Sequence, residues 1–474
     1  MVFSSHIFLF YFLPVVLLLY YLLPSQGRSI YIRNSFLTIV SYIFYGWTEP
    51  WFVILMWVST FLDYIAGKIV SNPNNSQKVK NYGLILSCVG NLGMLGFFKY
   101  YMFFLGGINS LIDLFGGGPG TFYIMNVTLP IGISFYTFQT MSYTIDVWRG
   151  NAPAVKNLST FSCFVALFPQ LIAGPIVRYI DVADQLEKRE HSYDKFASGA
   201  AIFITGFAKK ILLANPAGLV ADAAFGADSP TPLTAWWGIL GYHFQIYFDF
   251  CGYSDMAVGL GRMFGFEFVK NFNAPYRSVS ITDFWRRWHI SLSTWILDYI
   301  YISLGGNRKG AAQTYVNLMI CFFLSGLWHG AKLTFIFWGL FQAFFLITER
   351  FMGKNSIYGK LPQIPQIIIT NIIVLFGWVL FRAPDLGQAA AYWKAMVGIV
   401  EPSTSALLLQ TEIFSLRHIV EMVLCAVFVW QPIQAHEWIK NCTNVKYAAL
   451  SAVFLVAIAM MFAQSFNPFL YFQF

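Results

Sequence analysis

Residues 313–328 and 333–348 read QTYVNLMICFFLSGLW and LTFIFWGLFQAFFLIT, joined by the short turn His329-Gly330-Ala331-Lys332. Each run approaches the ~20 apolar residues an α-helix needs to cross a bilayer. So short a connection makes the two helices antiparallel neighbours. The turn carries a titratable imidazole at a segment end, where a group that can hold a proton is costly near hydrocarbon and calls for a reason.

The rest of the chain has the same character. Of its 474 residues, 57% are hydrophobic and 11% charged, and the mean hydropathy is +0.59. Soluble domains carry about 25% charged residues, so the composition excludes an ordinary soluble enzyme. Aromatic residues make up 19% of the chain, as expected for wide lipid contact and interfacial aromatic belts. Apolar runs near 6–23, 30–48, 51–67, 82–105, 128–147, 198–214, 233–257, 313–328, 333–348, 364–381, 416–432 and 446–463 read as spans. The first lacks a basic flank and a small-residue cleavage site, and reads as a retained span. The six cysteines are scattered, without CxxC spacing, and read as buried thiols. The net charge of +8 sits in loops and reports orientation, so no nucleic-acid partner is expected.

The loops give that orientation. Residues 106–126 and 216–233 contain no Lys or Arg and read as external. Strict alternation fails at two places, 158–172 and 284–304, which have basic residues on both flanks. Pro169, Gly174 and Pro175 break one of them, and Gly305-Gly306-Asn307 ends the other. Non-helical backbone at membrane depth survives only when buried in protein or lining a wet cavity, so both read as re-entrant or buried segments. The expected fold is an all-α integral membrane protein, a ring of about 11–12 transmembrane helices round such segments, in one domain covering residues 1–474.

Four constellations carry chemistry. His329 ends a span, with Trp328 as an apolar wall and Gly326 and Gly330 leaving space for a substrate; an imidazole there can take and return a proton at neutral pH. The plainer alternative is a helix-end histidine satisfied by a carbonyl. His289 closes Phe284-Trp285-Arg286-Arg287-Trp288-His289, where the guanidinium groups suit an anionic ligand and Trp285 and Trp288 suit stacking or a tunnel wall. An interfacial helix snorkelling its arginines would look the same. Asp249 and Asp255 lie in an apolar stretch and read as ion-pair partners that lock the core or orient a histidine. Gln139, Tyr143 and Asp146 share one helix face and face protein or a cavity. By charge topology, His289 belongs near the cytoplasmic face and His329 at the external end of its span. No fixed-period repeat appears, against a secondary transporter of small metabolites.

Taken together, these residues resemble the membrane-bound O-acyltransferase family, and within it the bacterial branch that acetylates alginate and related polysaccharides. The stretches that carry the likeness are 129–150 (LPIGISFYTFQTMSYTIDVWRG), 168–178 (FPQLIAGPIVR), 247–260 (YFDFCGYSDMAVGL), 271–276 (NFNAPY), 284–295 (FWRRWHISLSTW), 299–308 (YIYISLGGNR), 326–331 (GLWHGA) and 466–474 (FNPFLYFQF). The resemblance implies a central tunnel, a catalytic role for His329, and a second family histidine at His289. It implies acetyl-CoA as donor, no permanently bound cofactor or metal, a polysaccharide acceptor, and an extracytoplasmic SGNH-hydrolase-like acetyltransferase partner, all at a bacterial inner membrane. Peptidoglycan O-acetylation is the nearest alternative, with D-alanyl transfer to teichoic acid further off. Two departures stand out: Leu297 precedes Asp298 where relatives often carry a basic residue, and Trp338-Gly339 leads to Gln342-Ala343 where many have His-Gly.

Overall fold

The computed structural model describes residues 1–24, 29–117, 120–353, 359–440, 442–464 and 469–470. Of the motif at 466–474, residues 466–468 and 471–474 lie outside them. Every described element is helical, and each of the twelve apolar runs forms one or more helices. Among the described residues, seven helices are long and apolar enough to cross a membrane, including Phe52–Ser71, Ala311–His329, Leu333–Met352 and Gln363–Arg382. Others, such as Ser29–Tyr45 and Leu416–Val429, are shorter than the ~20 residues of a full crossing. The chain is an all-α, multi-pass membrane protein. It forms two compact units, Met1–Phe196 with Leu260–Val269, and Ala197–Gly259 with Lys270–Phe474.

In the first unit, the segment at 158–172 is broken as its prolines and glycine require. Leu158–Ala166 and Phe168–Leu171 are separate short helices, and most of their side chains are buried. Nine helical residues rise only about 14 Å, half of a ~30 Å hydrocarbon core. Three helices of this unit are tied by a buried polar clasp. Asp63 accepts from Ser87 Oγ, from Asn91 Nδ2 at 2.5 Å and from Thr144 Oγ1 at 2.7 Å. A buried carboxylate needs such donors, and here they come from two neighbouring helices.

The second unit is built round the greater part of two long helices, Tyr193–Phe225 and Pro232–Met263, whose backbones touch within it. A Cβ on Gly206 would sit 2.4 Å from the Gly252 carbonyl, so only glycine permits this approach. Between these contacts the first helix widens into a π-turn, Lys209–Ala214. The extra residue in that turn brings two consecutive lysines toward the second helix, where each finds an aspartate.

Candidate active site

The segment after the long helices is irregular, as the sequence predicted for 284–304. Ser280 Oγ caps Ile281–Arg287 by accepting the Asp283 amide at 3.1 Å. Glu349 accepts the amides of Ile281 and Thr282 at 2.7 and 2.9 Å, and the Thr282 hydroxyl at 2.6 Å. A carboxylate at a helix N-terminus meets unpaired N–H groups and the positive end of the dipole. Glu349 therefore fixes the short helix that presents Trp285 and Arg286. The chain then turns at His289, which holds φ +45°. A non-glycine residue in that region is costly and is found where surroundings impose it. Asn271 imposes it here: its Oδ1 accepts from the Ser291 amide at 3.3 Å and the Ser291 hydroxyl at 2.9 Å, and lies 3.1 Å from His289 Nδ1. Because that oxygen can only accept, Nδ1 is the protonated nitrogen and Nε2 keeps the lone pair.

His329 is the last residue of its helix and is buried. Its ring packs edge-on against Trp338 at 5.1 Å and Phe381 at 5.0 Å. It lines a cavity with Asp249, Phe250, Trp288, Trp378 and Leu470, whose water-accessible space is about 20 Å³, room for about one water. A second cavity, of about 320 Å³, is lined by Trp285, Arg286, Tyr301, Asn307, Ser325 and Arg350 among others. Trp285 lines the larger cavity and meets Trp338 of the smaller at 5.7 Å, so the linings of the two cavities touch at this indole pair.

The two histidines do not stand at opposite ends of the protein, as counting loop charges suggested. Both rings pack on one indole: Trp328 lies 6.1 Å from His289 and 5.0 Å from His329. Two groups sharing one ring cannot be separated by a ~30 Å hydrocarbon core. His289 also meets Phe250 edge-on at 4.7 Å and lines neither of the two cavities.

Other expectations change as well. Gly326 and Gly330 leave no room for a substrate. A Cβ on Gly326 would meet the Phe335 carbonyl, and one on Gly330 the Phe335 ring, so both serve the close crossing of the two helices. Arg286 faces the larger cavity, but Arg287 Nε is bonded to Asp283 at 2.9 Å and belongs to its own helix turn. The second cation at the cavity is Arg350, which sequence reasoning missed. Trp285 and Trp288 are placed apart, one on each cavity. Asp249 pairs with Lys210 at 2.5 Å and Asp255 with Lys209 at 2.6 Å; only Asp249 lines the His329 cavity. The signal for those lysines was two adjacent cations inside the apolar run 198–214. Gln139 and Tyr143 belong to the first unit. Tyr143 packs on Phe161 at 4.5 Å and Tyr179 at 4.9 Å and accepts the Val155 amide, a scaffolding position. Gln139 is fully buried, and neither amide atom has a protein partner among the described residues.

A buried histidine in an aromatic pocket thus lies beside a roomier cavity edged by two arginines, within a multi-pass helical membrane protein. Residues 39–382 match the sequence profile of the membrane-bound O-acyltransferase family, and the chain belongs to it. It is an acyltransferase. It is 48% identical to the probable alginate O-acetylase AlgI of Pseudomonas aeruginosa, over 84% of this chain and 75% of that one. With the AlgI protein of Pseudomonas putida the identity is 42% over the whole of both chains. The peptidoglycan O-acetyltransferase of Helicobacter pylori is 33% identical, over all of this chain and 98% of that one.

Proposed function

We propose that the chain transfers acetyl groups from acetyl-CoA, taken up on the cytoplasmic side of a bacterial inner membrane, toward an exported polysaccharide such as alginate. What carries this reading is His329, buried in a pocket one indole pair away from an arginine-edged cavity. The names of the relatives, alginate O-acetylase foremost, support the acyl group and the acceptor class. Arg286 and Arg350 hold the donor phosphates, since guanidinium groups bind phosphate through paired N–H donors. The acyl end of the thioester then passes Trp285 and Trp338 to reach the pocket at His329. His329 acts as general base on the acceptor hydroxyl or as a transient acyl carrier, in a site that excludes bulk water. His289 is a positioning residue: Asn271 fixes its ring, and the ring in turn backs Phe250 and Trp328. The chain works as one catalytic domain, with an extracytoplasmic SGNH-hydrolase-like protein completing delivery to the polysaccharide.

Peptidoglycan O-acetylation is a second reading by the same chemistry, favoured by full-length similarity to the Helicobacter pylori enzyme. The test is complementation of a strain lacking the protein, with O-acetyl content measured separately on exopolysaccharide and peptidoglycan. The wild-type chain restores acetylation of exopolysaccharide, and His329→Ala, present in the membrane at the same level, does not. Restoration confined to peptidoglycan favours the second reading, and restoration by His329→Ala contradicts both.

A further inference from the structure

The cavity at His329 has room for about one water, and the aromatic rings that line it are interlocked. Trp338 and Phe381 meet at 5.0 Å, Trp378 and Phe381 at 5.6 Å, and Trp288 and Trp378 at 5.1 Å. Trp338 and Trp378 are themselves stacked, with 13° between their planes. Displacing any one of these rings displaces another, as in any interior packed to crystal density.

One part of the wall comes from far along the chain. Leu470 lines the cavity and donates its backbone N–H to Asp249 Oδ2 at 2.9 Å. Lys210 grips the other oxygen of that carboxylate at 2.5 Å. Phe469 is seated beside it, 4.5 Å from the Tyr253 ring and 5.9 Å from the Lys210 ammonium. The Leu470 side chain is thus presented by a buried ion pair acting on its backbone.

We propose that this box sets the length of the acyl group, with Phe381 and Leu470 as its specificity-determining side chains. The inference rests on His329 being the point of transfer. Space for about one water accepts the methyl of an acetyl group and little more. Each further methylene has to push against interlocked rings, and overfilling a packed pocket is unfavourable. One methylene in an apolar pocket discriminates by ~10–200-fold. The chain therefore selects two-carbon acyl groups by exclusion, although the larger cavity has room for longer ones.

The test uses the purified full chain in proteoliposomes with acetyl-, propionyl-, butyryl- and hexanoyl-CoA and de-O-acetylated alginate as acceptor, reading kcat/KM from release of coenzyme A. In the wild type, propionyl-CoA falls at least about tenfold below acetyl-CoA, and butyryl-CoA falls further. Leu470→Ala keeps the N–H that Asp249 holds and removes only the wall. It raises the butyryl-to-acetyl ratio at least about tenfold, as does Phe381→Leu. Phe344→Leu, on an exposed helix face, leaves the ratio alone. The ratio within each variant is unaffected by a general loss of activity, and the wild-type series decides even where a variant does not fold. Butyryl transfer by the wild type within about threefold of acetyl overturns the proposal. So do two folded variants that retain the wild-type ratio. Failure of the underlying reading looks different: the wild type then releases no coenzyme A from any of the four thioesters.

Discussion

Lys210 Nζ lies 2.5 Å from Asp249 Oδ1, and both side chains are closed to solvent, at 3% and 2% exposure. A buried ion pair returns little net stability, but removing one partner strands the other charge at a cost of about 3–5 kcal/mol. Lys210→Met and Asp249→Asn should each lower the unfolding midpoint of the solubilised protein sharply. The double variant should recover at least half of the combined loss. Losses that simply add would mean the two groups do not interact.

Glu349 predicts a different pattern. Its carboxylate accepts three hydrogen bonds at the start of the helix that carries Arg286. Hydrogen bonds to a charged group contribute about 1.5–3 kcal/mol each, and such terms do not add fully. Glu349→Ala should loosen this helix and raise KM for the donor by more than it lowers kcat. Glu349→Gln, which keeps one acceptor oxygen, should fall between. Steady-state kinetics of the two variants check this, and an unchanged KM in Glu349→Ala would contradict it.

The arginines separate by partner. Arg286 and Arg350 line the larger cavity, whereas Arg287 is bonded to Asp283. Alanine at 286 or 350 should raise KM for acetyl-CoA on the order of tenfold, the scale of one solvent-accessible phosphate contact. Alanine at 287 should leave KM near the wild-type value. The wild-type KM should also rise with salt, because charges near solvent are screened. A titration of KM against ionic strength in the three variants distinguishes these roles.

Much of the fold is legible in the sequence. Apolar length placed a helix at each of the twelve runs, though only seven of the described helices are long and apolar enough to cross a membrane, and Pro169 with Gly174 marked the broken segment. Depth was not legible. Basic loops report a side of the membrane, but not how far a buried segment reaches, so His289 and His329 were set apart when they share the Trp328 indole. Glycine spacing was equally ambiguous, since a glycine that admits a substrate and one that admits a neighbouring backbone look alike; Gly326 is the second kind. The partners of Asp249 and Asp255 depended on the π-turn Lys209–Ala214. One extra residue in a turn changes which side chains face inward, and no apolar period encodes it.

A pH dependence follows from the loop at His191. Burial, together with the guanidinium groups of Arg33 and Arg189, lowers its pKa from the usual 6.5 to about 4. The folded state thus binds fewer protons than the unfolded chain between these values, and stability rises with pH across them. This contribution is complete above pH 6.5 and is lost as pH falls toward 4. Thermal midpoints of wild type and His191→Gln, measured from pH 4 to 8, should therefore differ in slope over this range and run parallel above it. Identical slopes would contradict the assignment.

In the proposed mechanism His329 performs acyl transfer in the aromatic pocket. The most direct measurement is release of coenzyme A from acetyl-CoA by the purified chain in proteoliposomes supplied with de-O-acetylated alginate as acceptor, comparing wild type with His329→Ala in preparations of matched thermal stability. Release by the wild type, with a fall of at least about a hundredfold in the variant, is the result expected when a general base or covalent carrier is removed. Release by His329→Ala at the wild-type rate would contradict the account.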